Sequence, residues 1–198
     1  MFELRRGFKS EANEIAREIR GELGLKLADP LDPLLLAAHL EIPVIPLTEL
    51  AADAPFGTHH FMQGDRDVFS AVTVFCGTER VIVHNDSHSP GRQSSNIAHE
   101  LSHGLLLHPL VPALGPGGCR DWDPMVEQEA EWLAGALLIS EEAALSIVRL
   151  GLTIDQAAAR YGVSRAMIQF RLNVTGARKR VAVGRSAISS AALRHRGP

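Results

Sequence analysis

The sequence predicts an α+β fold in which a small mixed or antiparallel sheet packs on one central helix, with a helical C-terminal part after it. Two strand-like runs, Phe69–Cys76 and Arg80–His84, are rich in Val, Thr and Phe, and a glycine-containing connection of hairpin length separates them. Ser89-Pro90, a cap followed by a first-turn proline, then opens a helix that runs to about Leu107. A helix that follows two strands in this way has a rigid surface to lie on.

Capping residues and apolar spacing predict further helices on both sides of this unit. A three- and four-residue apolar period predicts a helix over Ser10–Leu23, and Asp32-Pro33 starts a short one to about His39. Residues 42–46 suit an edge strand, whereas Leu47–Asp67 has no clear period. After the loop Pro112–Asp123, the predicted helices are Pro124–Ile139, Ala143–Leu150 behind Ser140, one from Thr153, and one from Ser164 to about Asn173.

Composition places the chain among ordinary globular proteins. A chain of 198 residues is long enough to bury a full core. Its content of 45% hydrophobic and 22% charged residues is typical of a globular domain. No apolar run approaches the ~20 residues of a membrane span, and the charged start Met1–Arg6 is unlike a signal peptide. Cys76 and Cys119 form neither a disulfide framework nor a CxxC site. We therefore expect a cytoplasmic protein without a membrane partner, and nothing in the sequence specifies an oligomeric state.

Charge is unevenly distributed along the chain. From Gln156 to the end there are nine Lys and Arg and no Asp or Glu, while residues 1–155 hold the other 11 basic and all 23 acidic residues. After Gly176 no periodic apolar face remains. We expect residues 177–198 to be a basic, flexible tail that is either solvated or in contact with an anionic partner.

The central helix carries the chemistry in the run His99-Glu100-Leu101-Ser102-His103. Residues four apart lie one above the other on a helix, so His99 and His103 project from one face and can ligate one zinc ion. Glu100 then lies beside the open coordination position, as the general base of a zinc protease requires.

A catalytic zinc site needs a third protein ligand. The HExxHxxGxxH class would need glycine and histidine where this chain has Leu106 and Pro109, so that class is excluded. His108 is five residues beyond His103, about 140° around a helix, and we expect it to point elsewhere. A carboxylate from the next helix is the alternative, and the spacing leaves Glu127 and Glu131 nearly equal, with Glu129 facing solvent. Alanines 130 and 134 on the same face would let the two helices approach closely.

These motifs resemble the ImmA/IrrE family of zinc metallopeptidases. The resemblance covers His99–His103 with the following Gly-Leu-Leu-Leu-His, and the segment Glu127–Ile139, which is similar to the family pattern E-x-E-A-N-x-F-A. The first glutamate of that pattern is a zinc ligand, which implies Glu127. Glu131 stands where the family usually has Asn; it could accept the free N–H of a ligating histidine.

The resemblance implies a zincin-like, gluzincin-like endopeptidase that contains Zn²⁺. Its domains would be 1–150 for the peptidase, 151–176 for a helix-turn-helix-like extension packed on it, and the tail. Several relatives cleave a helix-turn-helix repressor and so release stress or mobile-element genes, which implies a protein substrate of that kind. Candidates for stabilising the oxyanion are Tyr161, His60, His84 and His88.

Two other functions remain open from the sequence. Residues 153–176 scan as a DNA-binding helix-turn-helix, with Arg165, Gln169 and Arg171 able to face DNA and the basic C-terminal part attracting phosphates. The protein could also be an inactive zinc-binding scaffold. Salt-dependent binding to duplex DNA distinguishes the first alternative from a peptidase, and an activity assay distinguishes the second.

Overall fold

Helices surround one small sheet, with additional helical turns between residues 47 and 64 that the sequence did not predict. The computed structural model describes residues 4–65, 67–77, 79–109 and 123–184. In chain order the elements are α1 (Phe8–Glu22), α2 (Pro33–His39), β1 (Val44–Pro46), a 3₁₀ turn (Leu47–Ala51), α3 (Pro55–His59) with a π turn (His60–Gly64), β2 (Ala71–Cys76), β3 (Glu79–His84), α4 (Pro90–Leu105), α5 (Pro124–Leu138), α6 (Glu141–Arg149), α7 (Ile154–Tyr161) and α8 (Arg165–Val174).

The sheet is mixed and has the order β1-β3-β2. β1 runs parallel to β3 with Val44 opposite Ile82, and β2 runs antiparallel to β3 with Thr73 opposite Ile82. β2 is therefore an edge strand of this sheet. With α5 to α8 following as a helical part, the α+β, zincin-like fold predicted from the sequence is confirmed.

The sheet presents one face to α4. Ile82 is fully buried in the same apolar cluster as Ile97 and Leu101 of α4. Opposite Ile82 on β2, the Thr73 hydroxyl reaches α4. Two residues before Ile82 on β3, the Arg80 guanidinium lies so close to Gly104 that a Cβ added to this glycine would clash with it. Cross-strand neighbours share a face of the sheet, so this packing fixes which side chains of β2 and β3 face the helix.

α4 and α5 pack closely because small side chains meet between them. Ala98 of α4 and Ala130 of α5 are fully buried, and Ala134 is 3% exposed. The approach predicted from the alanines of α5 is thus observed. One apolar cluster lies between α1, α2, the sheet, α4 and α5, and a second joins α4 and α5 to α6, α7 and α8.

Two buried arginines hold the C-terminal end of α5. Arg20 of α1 donates from Nη2 to the Leu137 carbonyl at 2.7 Å, and Arg171 of α8 donates from Nε to the Ile139 carbonyl at 2.9 Å. These carbonyls belong to the end of a helix, where no later backbone N–H satisfies them. Burial lowers the pKa of each guanidinium to about 10, which leaves both charged at neutral pH.

Several boundaries differ from those predicted. α1 begins at Phe8 because Gly7 takes a left-handed conformation (φ 88°), so Ser10 lies inside the helix. Residues 177–184 are helical, and Ala177 and Val181 are buried against the body, so this part of the expected tail is ordered. Cys119, most of the loop Pro112–Asp123 and residues 185–198 lie outside the described residues. In the described part of the chain, no helix is long and apolar enough to cross a membrane.

Candidate active site

His99 and His103 lie one turn apart on a half-buried face of α4. Their rings are edge to face with centroids 4.8 Å apart, and their Nε2 atoms are separated by 3.1 Å. The shared face follows from the four-residue spacing. Both nitrogens are thus presented to one point, while their helix is fixed from behind by Ile97 and Leu101.

Glu127 completes this cluster from the first turn of α5. Its Oε2 lies 3.1 Å from His99 Nε2 and 3.5 Å from His103 Nε2. Asp123 caps α5 by accepting from the Met125 N–H, and Pro124 occupies the first turn, so the start of the helix is defined at this point. The structure therefore brings together the three side chains that the motifs and the resemblance selected.

The donor set fits a catalytic zinc site. Ligand atoms of His99, His103 and Glu127 all lie within 4.8 Å of one another. Burial alone raises the pKa of Glu127, but its hydrogen bonds to His103 and His99 outweigh burial and hold that pKa well below its usual range. Two imidazoles and one ionised carboxylate are the ligands of tetrahedral zinc with a free fourth position.

Glu100 is held by a residue that the sequence analysis missed. Its side chain is 4% exposed, and the Thr73 hydroxyl of β2 donates to Glu100 Oε2 at 2.6 Å. A buried carboxylate needs such a donor. In the sequence, a Thr between two valines of a predicted strand marks a polar group on one face of the sheet. Its partner could not be predicted, because it depends on how the sheet and α4 are aligned.

The surroundings of His108, Glu129 and Glu131 correct three expectations. The Nδ1 atoms of His103 and His108 are 3.0 Å apart, and His108 Nε2 lies 3.4 Å from Glu129 Oε2. Glu129 is 14% exposed rather than solvent-facing. Glu131 is exposed and lines a surface groove beside Trp132, so it does not occupy the place against a ligating histidine that was expected of it. Burial lowers the pKa of His108.

The four oxyanion candidates have different surroundings. Tyr161 is buried in the second apolar cluster and donates its hydroxyl proton to the Ala28 carbonyl at 2.9 Å, which uses its only proton away from the cluster. His60 is exposed and lies against Phe61.

Of the other two candidates, His84 ends β3 and His88 lies two residues before the start of α4. His84 shares the sheet face of Thr73, but it follows Ile82 by two residues, roughly 7 Å along β3. His88 Nδ1 lies 3.3 Å from Nδ2 of Asn96, and Asn96 is one turn before Glu100 on α4. None of these contacts assigns an oxyanion role.

The residues expected to face DNA are not presented together. Arg171 is 1% exposed and bonded to the end of α5, which corrects its expected position. Arg165 pairs with Asp155, and Gln169 donates to Asn173 at 2.9 Å. α7 and α8 bury Ala157, Tyr161, Val163, Ile168 and Leu172 in the second apolar cluster, as packing helices do.

Comparison with known families agrees with this geometry. The model of the family Peptidase_M78, described as the IrrE N-terminal-like domain, matches residues 56–173, more than half of the chain. The match spans the sheet hairpin, both helices of the histidine and glutamate cluster, and α6 to α8. No curated protein matches the chain. The chain belongs to the ImmA/IrrE family of metallopeptidases.

Proposed function

We propose that the protein is a zinc-dependent endopeptidase in which His99, His103 and Glu127 hold the metal and Glu100 is the general base. The observation that carries the proposal is the convergence of these three ligands beside the buried carboxylate of Glu100, which lies on α4 with the two histidines. A zinc ion held there would act as a Lewis acid and lower the pKa of water toward neutrality. The chain's own residues supply the remaining steps.

Glu100 is suited to move a proton between two positions. It accepts a proton from the attacking water and delivers it to the nitrogen of the leaving amine. The Thr73 hydroxyl binds only Oε2 in the described structure, so Oε1 is the oxygen that we assign to proton transfer. Thr73 thereby orients the carboxylate without competing for the same oxygen.

The edge of β2 offers a place for an extended peptide. Among the described residues, β2 pairs with β3 on one side and with no strand on the other, and Thr73 of this strand contacts Glu100. A peptide that adds to a free sheet edge gains main-chain hydrogen bonds along its length. Such a peptide would pass the general base, which favours a protein substrate over a small amide. We propose a cytoplasmic helix-turn-helix repressor as that substrate, on the resemblance to repressor-cleaving relatives.

The test compares cells that express the protein with cells that express Glu100→Gln, by mapping new protein N-termini. We expect a small set of termini that appear with the unchanged protein and are absent with Glu100→Gln. The purified variant is expected to bind zinc as before, because the substitution removes no ligand, and to cleave the identified substrate about 10²–10⁴-fold more slowly. Equal cleavage by both proteins would refute the assignment of Glu100.

A further inference from the structure

A chain of polar contacts leads away from His103, on the side opposite to the metal-facing nitrogen. Beyond the contact between His103 and His108, His108 Nε2 faces Glu129, and Glu129 Oε1 accepts from Arg5 Nε at 2.8 Å. Arg5 also pairs with Glu11 of α1 at 2.7 Å. The side chain of His108 is 7% exposed. The inner part of the network, His108 and Glu129, is therefore sheltered from solvent, while its outer end at Arg5 is exposed.

The end of α4 brings His108 back over the helix. α4 ends at Leu105, and Leu107 takes a left-handed conformation (φ 53°), which is uncommon for a residue with a branched side chain. The His108 N–H then donates to the His103 carbonyl at 3.0 Å. This reversal places the His108 ring against His103, where a continuing helix would have turned it away.

The order of contacts fixes where each proton sits once a metal is bound. A ligating His103 Nε2 carries no proton, so the proton of this neutral ring is on Nδ1. That Nδ1–H can only donate, so His108 Nδ1 must accept, and the His108 proton must be on Nε2. Nε2 faces a carboxylate, which is an acceptor only. Every donor therefore meets an acceptor, whereas the other His108 tautomer would turn a bare Nε2 toward the Glu129 carboxylate, lone pair against lone pair.

We propose that His108 and Glu129 are positioning residues that hold His103 in the tautomer and ring orientation required to bind the metal. Glu129, fixed by Arg5, sets the tautomer of His108, and His108 sets that of His103. A ligating histidine usually donates its other ring N–H to a carboxylate, a backbone carbonyl or a water; here the acceptor is a second imidazole. The inference rests on the proposed metal site and identifies which further residues that site needs.

The test measures the zinc dissociation constant of the purified full chain by competition with a chromophoric chelator. The variants are His108→Ala and Glu129→Leu, of which the second removes the acceptor at similar size. His39→Ala and Glu22→Leu are the matched controls, because His39 Nε2 and Glu22 Oε2 form a similar pair at 3.0 Å that does not include a ligand. We expect affinity to fall about 10–100-fold in both variants and to stay unchanged in both controls.

A second readout separates positioning from simple structural support. ¹⁵N shifts of the zinc-loaded protein should show His108 protonated at Nε2 and bare at Nδ1, and Glu129→Leu, which removes the acceptor, should change this pattern. Thermal unfolding of the metal-free variants reports loss of fold separately. Unchanged zinc affinity in both variants, with zinc bound by the unchanged protein, would overturn this inference alone. Failure of the unchanged protein to bind zinc would overturn the proposed metal site as well.

Discussion

Thr73 of the edge strand donates its hydroxyl proton to Glu100 of the helix beneath it, at 2.6 Å. This contact joins the two elements that meet at the candidate active site, and it is made by a carboxylate that is 4% exposed. Hydrogen bonds to charged groups are worth about 1.5–3 kcal/mol. The contact therefore has the strength to select one rotamer of Glu100.

Replacing Thr73 with Val should slow cleavage while leaving zinc bound. Val keeps the shape and β-branching but removes the donor, so Glu100 loses the contact that orients it. We expect kcat/KM to fall about 10- to 100-fold, the kinetic equivalent of one such hydrogen bond. Steady-state kinetics on the identified substrate would measure this. Thr73→Ser, which retains the hydroxyl, is the control and should keep most activity; equal losses in Ser and Val variants would assign the effect to packing.

Zinc should stabilise the folded chain, and the stabilisation should depend on Glu127 but not on Glu131. A ligand at 100 times its dissociation constant adds about 2.7 kcal/mol to the free energy of unfolding. For a chain of this size that corresponds to roughly 5–10 °C in Tm. Glu131 lies one turn further along α5, so Glu131→Ala should keep the full zinc-dependent increase in Tm. Glu127→Ala should lose most of that increase. Calorimetry with and without zinc decides between them, and the reverse dependence would give the ligand role to Glu131.

Gly91 should not tolerate a side chain. A Cβ at this position, in the first turn of α4, would lie 2.8 Å from the Ser164 nitrogen and from the Val163 carbonyl carbon. These are backbone atoms and cannot move aside cheaply, so Gly91→Ala should lower the free energy of unfolding by about 1–3 kcal/mol. Urea denaturation measures this. Gly21→Ala in α1 is the matched control, since a Cβ there meets nothing within 4 Å; it should be neutral or gain up to ~1 kcal/mol. A neutral Gly91→Ala would show that α4 and the α7–α8 turn are further apart.

Ser140 should contribute more to stability than an ordinary helix cap. Its hydroxyl accepts from the Ala143 N–H at 2.9 Å and donates to the Leu27 carbonyl at 2.6 Å, and the residue is 1% exposed. Ser140→Ala removes a cap and the hydrogen bond to the Leu27 carbonyl, a loss of about 1.5–3 kcal/mol in the free energy of unfolding. Thr153→Ala removes an exposed capping box from α7 and should lose only about 1 kcal/mol. Similar losses in the two variants would contradict the role of the Leu27 contact.

The sequence predicted the parts of the site that depend on local spacing. His99 and His103 are four residues apart on a helix, so their common face follows from helical geometry alone. The alanines of α5 likewise predicted a close approach to α4. Spacing could not choose between Glu127 and Glu131, because both lie on the same face of one helix, and the choice needed the resemblance.

The remaining features depend on how distant segments meet. Thr73 reaches Glu100 only because the register of the sheet places it over that turn of α4. The expectation for His108 was wrong because it assumed a continuing helix, whereas Leu107 reverses the chain without the glycine that usually marks such a turn. Arg171 was expected to face DNA from its place on α8. Helical spacing does not reveal that the end of α5 lies beside this residue and binds its side chain.

The most direct test is a crystal structure of the zinc-loaded protein, with the metal located by its anomalous scattering. We expect one zinc ion bound by Nε2 of His99, Nε2 of His103 and a carboxylate oxygen of Glu127, each at about 2.0–2.2 Å, with Glu100 beside the fourth position. Zinc bound elsewhere, or at the two histidines with Glu127 outside coordinating distance, would contradict this expectation.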